Sequence, residues 1–168
     1  MNREHRDFLV KRFLDAWTSQ DVERVLDCYR KHWLATWRDL PVMFEGVREM
    51  LEALAEDGYL LAVATGKARR GLARVLAHSG LEPLFHATRC ADESFSKPHP
   101  AMLLELMDEL LVPPERTLMI GDTTHDLLMG RNAGTATLAM THGAHPATEL
   151  AAERPLALLD SIAGLRDW

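Results

Sequence analysis

Three polar features of the sequence stand behind or between short apolar runs, and each has residue types suited to an anion or a hard cation. Thr65-Gly66-Lys67 follows the apolar run Tyr59–Ala64 and opens a helical pattern. A hydroxyl beside free backbone N–H groups at a helix start can hold phosphate oxygens, and Gly66 lets backbone approach closely. Taken alone, Thr65 reads first as an ordinary helix N-cap, because strand-Thr-Gly is common punctuation. Ser96-Lys97-Pro98-His99-Pro100 precedes a second helical stretch. Its stiff setting can aim the Lys97 ammonium inward, to neutralise phosphate or hold a carboxylate; taken alone, it reads first as a solvated lysine, since lysine is rarely buried. Gly121-Asp122-Thr123-Thr124-His125-Asp126 follows the run Thr117–Ile120. Asp122 and Asp126 are four residues apart, so both can face one point if a helix starts between them. Two such carboxylates suit Mg²⁺, which takes one or two of them together with water and phosphate oxygens. The alternative is a helix-dipole partner plus one surface aspartate. His125 lies beside them as a loop histidine or a substrate contact, because Mg²⁺ prefers oxygen. His142 and His145 have no matching Cys or Asp spacing and read as solvated loop histidines.

The elements that must position these residues follow from hydrophobic periodicity. From Pro41 onward, helical stripes alternate with short apolar runs. Val47, Met50, Leu51 and Leu54 mark a helix ending near Gly58, where a left-handed residue is expected. Tyr59–Ala64 reads as a strand covered on both faces. Leu72, Val75 and Leu76 mark a helix that stops at Gly80, and His86–Cys90 is a candidate strand. Met102, Leu103, Leu106, Met107 and Leu110 mark the next helix, closed by Pro113-Pro114. Thr117–Ile120 is a strand, about 124–133 a helix, and Ala136–Met140 and Leu156–Leu159 complete the series. Strands alternating with helices imply parallel pairing through right-handed crossovers, hence an α/β doubly wound sheet. In such a sheet ligands bind beyond the carboxyl ends of the strands, where all three polar features fall. Residues 1–40 differ: Val10, Phe13, Leu14 and Trp17, then Val22, Val25, Leu26, Tyr29 and Trp33, keep helical spacing with no strand signal. They read as an α-helical hairpin, with Trp17, Trp33 and Trp37 as packing residues.

Composition narrows the classes. The 168 residues are 47% apolar and 26% charged, which suits one globular core and excludes a collagen-like, disulfide-scaffold or disordered chain. Nineteen Lys and Arg against 25 Asp and Glu give a net charge of −6, which argues against a nucleic-acid partner. Cys28 and Cys90 stand in no metal or redox spacing, consistent with a reducing compartment. No apolar run approaches the ~20 residues that span a bilayer, and the start is charged rather than signal-like, so the expected location is cytoplasmic.

The order of VATGKARRGL, SKPHPAMLLELM and MIGDTTHDLLMGRNAG resembles the haloacid-dehalogenase-like (HAD) phosphohydrolase superfamily, over about Pro41 to Asp160. The wording is most similar to its phosphoglycolate-phosphatase-like branch, whose small helical cap is inserted after the first strand. The resemblance implies a HAD-like Rossmannoid core at 41–168, missing its first strand, with residues 1–40 as a partial α-helical cap. It implies Thr65 as the phosphate-binding hydroxyl, with Gly66 beside it, and Lys97 as the charge-neutralising lysine. Asp122 would be the Mg²⁺ ligand and Asp126 its acidic companion. The implied substrate is a small phosphorylated metabolite. The implied reaction is Mg²⁺-assisted phosphoryl transfer to an aspartate, followed by hydrolysis. A carboxylate nucleophile splits one difficult displacement into two.

At the decisive point the sequence departs from that pattern. The family's nucleophile lies in an Asp-x-Asp-x-Thr motif, and no Asp-x-Asp occurs in these 168 residues. Asp7, Asp15 and Asp27 lie within helical patterns. In the family the strand carrying the motif sits between those that here are Tyr59–Ala64 and Thr117–Ile120. Without it each keeps an unpaired row of N–H and C=O groups. Buried polar groups without partners cost about 1–3 kcal/mol each against a total margin of ~5–15 kcal/mol. The expectation is therefore a natural chain that begins further upstream, or a gap closed by direct pairing, a partner strand or exchange within a homo-oligomer. A start assigned too late or a truncated gene is preferred to the alternative, a non-catalytic pseudo-phosphatase used for phosphate binding or protein interaction.

Overall fold

The computed structural model of the chain divides into two compact units, Met1–Val42 and Met43–Trp168. It describes residues 43–166 together with the single residue Glu23. The helical hairpin expected at 1–40, its three tryptophans and Cys28 lie outside the described residues.

The second unit alternates helices and strands. Helix α1 (Val47–Glu56) buries Met50 and leaves through Gly58, whose φ of 84° is left-handed. The exit consumes the next residue too: Gly58 N–H donates to Ala55 O and Tyr59 N–H to Leu54 O. Strand β1 therefore spans Leu61–Thr65, two residues later than the apolar run suggested. Helix α2 (Arg69–Ser79) buries Leu72 and Leu76 and ends at Gly80, φ 66°. A 3₁₀ turn leads into β2 (Phe85–Cys90). Helix α3 (Ala101–Leu110) buries Met102, Leu103, Leu106 and Met107, as its stripe predicts. After the 3₁₀ turn Pro114–Arg116 come β3 (Leu118–Gly121), α4 (Thr124–Asn132) and β4 (Ala136–Met140). Thr117 closes the turn by donating to Pro114 O, which delays β3 by one residue. Helix α5 (Ala147–Ala152), not foreseen in the sequence, follows Pro146 and buries Leu150. Strand β5 is only Leu158–Leu159, shorter than expected.

All pairing is parallel, as expected of a doubly wound sheet, but it forms two sheets. β1 pairs with β2, Thr65 facing Cys90, after a register shift between Leu61 and Ala62. β4 pairs with β3, Leu118 facing Ala136, and with β5, Ala139 facing Leu158. Among the described residues no strand lies on the other edge of β1 or of β3. The expectation that Tyr59–Ala64 is covered on both faces is corrected accordingly: Tyr59, Leu60 and Ala62 are exposed, and the rest of β1 is half-buried. What joins the sheets is α3. Its four buried residues form one cluster with Ala87 of β2, Met119 of β3 and Met129 of α4, and Ala64 of β1 packs against it. No helix among the described residues is long and apolar enough to cross a membrane.

Candidate functional site

Asp122 and Asp126 lie where β3 ends and α4 begins, as their spacing predicts. Helix α4 opens with a capping box: Thr123 Oγ1 accepts from Asp126 N–H at 3.2 Å, and Asp126 Oδ2 accepts from Thr123 N–H at 3.1 Å. Oδ2 also accepts from Thr123 Oγ1 at 2.7 Å. Its other oxygen, Oδ1, accepts from Lys97 Nζ at 2.5 Å. The Asp126 side chain is 6% exposed and that of Lys97 19%, so this is a desolvated, charge-assisted contact and not a surface pair. Lys97 is thus not solvated, and both oxygens of Asp126 are engaged by the protein. The loop carrying Lys97 is tied to α4 a second time, by Asn132 Nδ2 donating to Pro98 O at 3.1 Å, just after the cis Lys97-Pro98 peptide.

Asp122 is held differently. Its Oδ2 accepts from Ala144 N–H at 2.9 Å and its carbonyl from His145 N–H at 3.1 Å. The loop after β4 can lie this close only because residue 143 has no side chain: a Cβ there would overlap the Asp122 Cβ and carboxylate. The loop is anchored by His145, whose Nδ1 accepts from Thr124 N–H at 3.2 Å in the first turn of α4. This departs from the expectation of a solvated loop histidine. The bond bridges 21 residues, so nothing near His145 in the sequence announces it. His142 is exposed, stacks edge-on against Phe44 and meets Asp160 O; His125 is exposed, beside His145.

Thr65 ends β1 at the same, carboxyl, end of its strand. Its Oγ1 accepts from Lys67 N–H at 3.1 Å, which leaves the hydroxyl proton free to donate. Thr65 makes no hydrogen bond to Lys97, Asp122 or Asp126. The structure joins Lys97, Asp126 and Asp122 around one helix start, while Thr65 belongs to the other sheet. A Cβ at Gly66 would meet nothing within 4 Å among the described residues, so packing among them does not require this glycine. Burial pushes the Lys67 ammonium below its usual range. Burial pushes the Cys90 thiol up, leaving it an inert core group.

No three His, Cys, Asp or Glu side chains among the described residues come together as a metal cage. Mg²⁺ does not need one: it binds one or two carboxylates and takes the rest of its shell from water and phosphate. Asp122 Oδ1 receives no hydrogen bond from the described residues, a free carboxylate oxygen at a strand end. That donor fits a share in such a shell.

The fold is an open α/β arrangement of parallel strands, with Lys97, Asp122 and Asp126 around one helix start and Thr65 at the carboxyl end of another strand. Comparison with known sequences makes the class specific. The model of the haloacid dehalogenase-like hydrolase family matches residues 1–140, and the chain belongs to this family. The match starts upstream of the Pro41 expected above and ends short of Asp160. The chain is 40% identical over 122 residues to the probable phosphatase IndB of Dickeya dadantii strain 3937, which covers 72% of this chain and 53% of IndB. It is 34% identical over 145 residues to the pyrophosphatase PpaX of Bacillus mycoides strain KBAB4, covering 86% and 67%. Among solved structures, a predicted phosphoglycolate phosphatase from Haemophilus somnus 129pt superposes with a TM-score of 0.78 at 25% identity, over 86% of this chain and 65% of that one. The chain thus spans about half to two thirds of the length of these relatives, which are phosphatases by name.

Proposed function

We propose that the chain carries the phosphate- and metal-binding part of a Mg²⁺-dependent phosphatase acting on a small phosphorylated metabolite, of the phosphoglycolate-phosphatase type. Thr65 donates its free hydroxyl proton to a phosphate oxygen, with Gly66 admitting the ligand to the backbone. Lys97, oriented by Asp126, offsets the charge on the other oxygens. Asp122 contributes the carboxylate oxygen for Mg²⁺, and Asp126 stands beside it as the acidic companion. When bound, Mg²⁺ supplies electrostatic stabilisation of the phosphoryl oxygens. The nucleophilic carboxylate is not among these 168 residues, so they bind phosphate without turning a monoester over. The observation that carries the reading is the largely buried Lys97–Asp126 pair next to an Asp122 oxygen that the described residues leave unbonded. The expected location is the cytoplasm, and nucleic acid and membrane are not expected partners.

Calorimetry of the 168-residue chain with inorganic phosphate and Mg²⁺ is expected to show binding that disappears in Lys97→Ala and in Asp122→Ala. p-Nitrophenyl phosphate with Mg²⁺ should release no more product than a blank. Turnover abolished by Asp122→Ala would overturn the claim that the attacking group lies elsewhere, and the absence of any phosphate binding would overturn the proposal itself.

Gly66→Ala separates ligand from packing. Because its methyl enters open space, the urea midpoint should stay within about 0.5 kcal/mol of wild type. Phosphate affinity should fall at least tenfold, since the methyl occupies the approach to the backbone. An unchanged affinity would remove Gly66 from the site.

A further inference from the structure

Helix α2 begins without a side-chain cap of its own, Ala68 being its N-cap residue. The cap arrives from another segment: Asp92 Oδ1 accepts from Arg69 N–H at 2.9 Å. The Arg69 side chain returns the contact. Its Nε donates to Glu93 Oε1 at 2.6 Å and its Nη2 to Glu93 Oε2 at 2.5 Å, a two-pronged guanidinium–carboxylate pair. Its Nη1 reaches Thr88 Oγ1 at 2.6 Å and Nη2 reaches Thr88 O at 3.2 Å. Glu93 in turn accepts from Cys90 N–H at 3.1 Å, and Ala91 N–H donates to Lys67 O at 3.0 Å. Segment 88–93 therefore grips segment 67–69 at a carbonyl, an amide and a side chain, directly behind the Thr65 turn.

We infer that Arg69, Asp92 and Glu93 are positioning residues that hold the Thr65-Gly66-Lys67 turn in its anion-accepting form. The inference rests on the phosphate-binding reading of that turn. An exposed ion pair by itself contributes little to stability, and side chains of Arg69 and Glu93 are 43% and 34% exposed. This pair instead joins the loop after β2 to the one after β1, so its loss is felt by the turn more than by the core. The Arg69 guanidinium has five donors, and four of its bonds go to Glu93 and Thr88, which argues against its serving as a phosphate ligand. The hydrogen bond from Arg69 holds the Glu93 carboxyl below its ordinary range, so the grip is charged at neutral pH.

The test is phosphate affinity, with Mg²⁺, in Arg69→Met, Glu93→Gln and the double variant. Both single variants are expected to bind inorganic phosphate about tenfold more weakly with little change in thermal midpoint. The double variant should be no weaker than either, because the two residues act through one grip, and Arg69→Lys should recover part of the loss. If Arg69 touched phosphate itself, Glu93→Gln would free it and tighten binding, which overturns the inference, as does wild-type affinity in Arg69→Met. If the wild-type chain binds no phosphate, the functional reading falls and hydrogen exchange decides the grip alone. The Arg69 and Ala91 amides should then exchange at least tenfold faster in Arg69→Met, and unchanged protection would sink it.

Discussion

Asp126→Ala is expected to cost about 3–5 kcal/mol of folding stability, a large share of the ~5–15 kcal/mol that domains of this size possess. Two losses combine. The Lys97 ammonium, on a side chain 19% exposed, loses its only acceptor among the described residues. The first turn of α4 loses the group that satisfies Thr123 N–H and Oγ1. The pair itself is not credited with that sum, because desolvating two charges offsets most of their attraction. For this reason Lys97→Met in the Asp126→Ala background should restore part of the stability by removing the orphaned charge. Asp126→Asn keeps an acceptor for Thr123 and should fall between wild type and alanine. Urea midpoints of the four proteins measure this. A loss below about 1 kcal/mol for Asp126→Ala would mean that Lys97 finds water as readily as it finds the carboxylate.

Gly121→Ala should be nearly as damaging, for a steric reason. Gly121 ends β3, and α4 turns back so tightly that a Cβ at this position would overlap Asp126 Cβ and lie 2.5 Å from Cγ and 2.7 Å from Oδ2. Atoms that close must move, and the ones in the way belong to a side chain fixed at three points. The expected cost is about 3 kcal/mol, the upper end for overpacking a tight site. Asp126 would be displaced from Lys97, so phosphate binding should weaken as well. Gly66→Ala is the matched control, the same change made into open space. Equal destabilisation by the two variants would show that chain entropy, not the close approach, sets the requirement at Gly121.

The parts of the fold that were legible in the sequence are those governed by neighbours along the chain. The α3 stripe of Met102, Leu103, Leu106 and Met107 is buried as its spacing requires, and β4 has the boundaries of its apolar run. Gly58 and Gly80 end their helices where the pattern stops. Boundaries failed where a turn borrowed strand-like residues: Tyr59 completes the exit of α1, and Thr117 completes a 3₁₀ turn. Helix α5 escaped notice because six residues with one buried side chain give almost no periodicity. In the candidate site, residue type and spacing pointed to Thr65, Lys97, Asp122 and Asp126, and of these the structure brings Lys97, Asp122 and Asp126 to one helix start. The pairing of Lys97 with Asp126 across 29 residues was not legible, and neither was the bond from Thr124 to His145 or the grip of Glu93 on Arg69. Such contacts depend on how the crossovers return, and no local pattern encodes that.

The candidate groups sit on opposite banks of a divide. Thr65 terminates one pair of strands, Asp122 follows the other sheet, and the backbone ladders do not cross from one to the other among the described residues. The bridges are the methionine- and leucine-rich face of α3 and the two bonds, Lys97 to Asp126 and Asn132 to Pro98, that tie the loop after β2 to α4. A dianion that touched Thr65 and Lys97 together would add Thr65 to the Lys97–Asp126 tie between the banks, so occupancy would register as mechanical cohesion. At a hundredfold excess over its dissociation constant, such a ligand adds about 2.7 kcal/mol against unfolding.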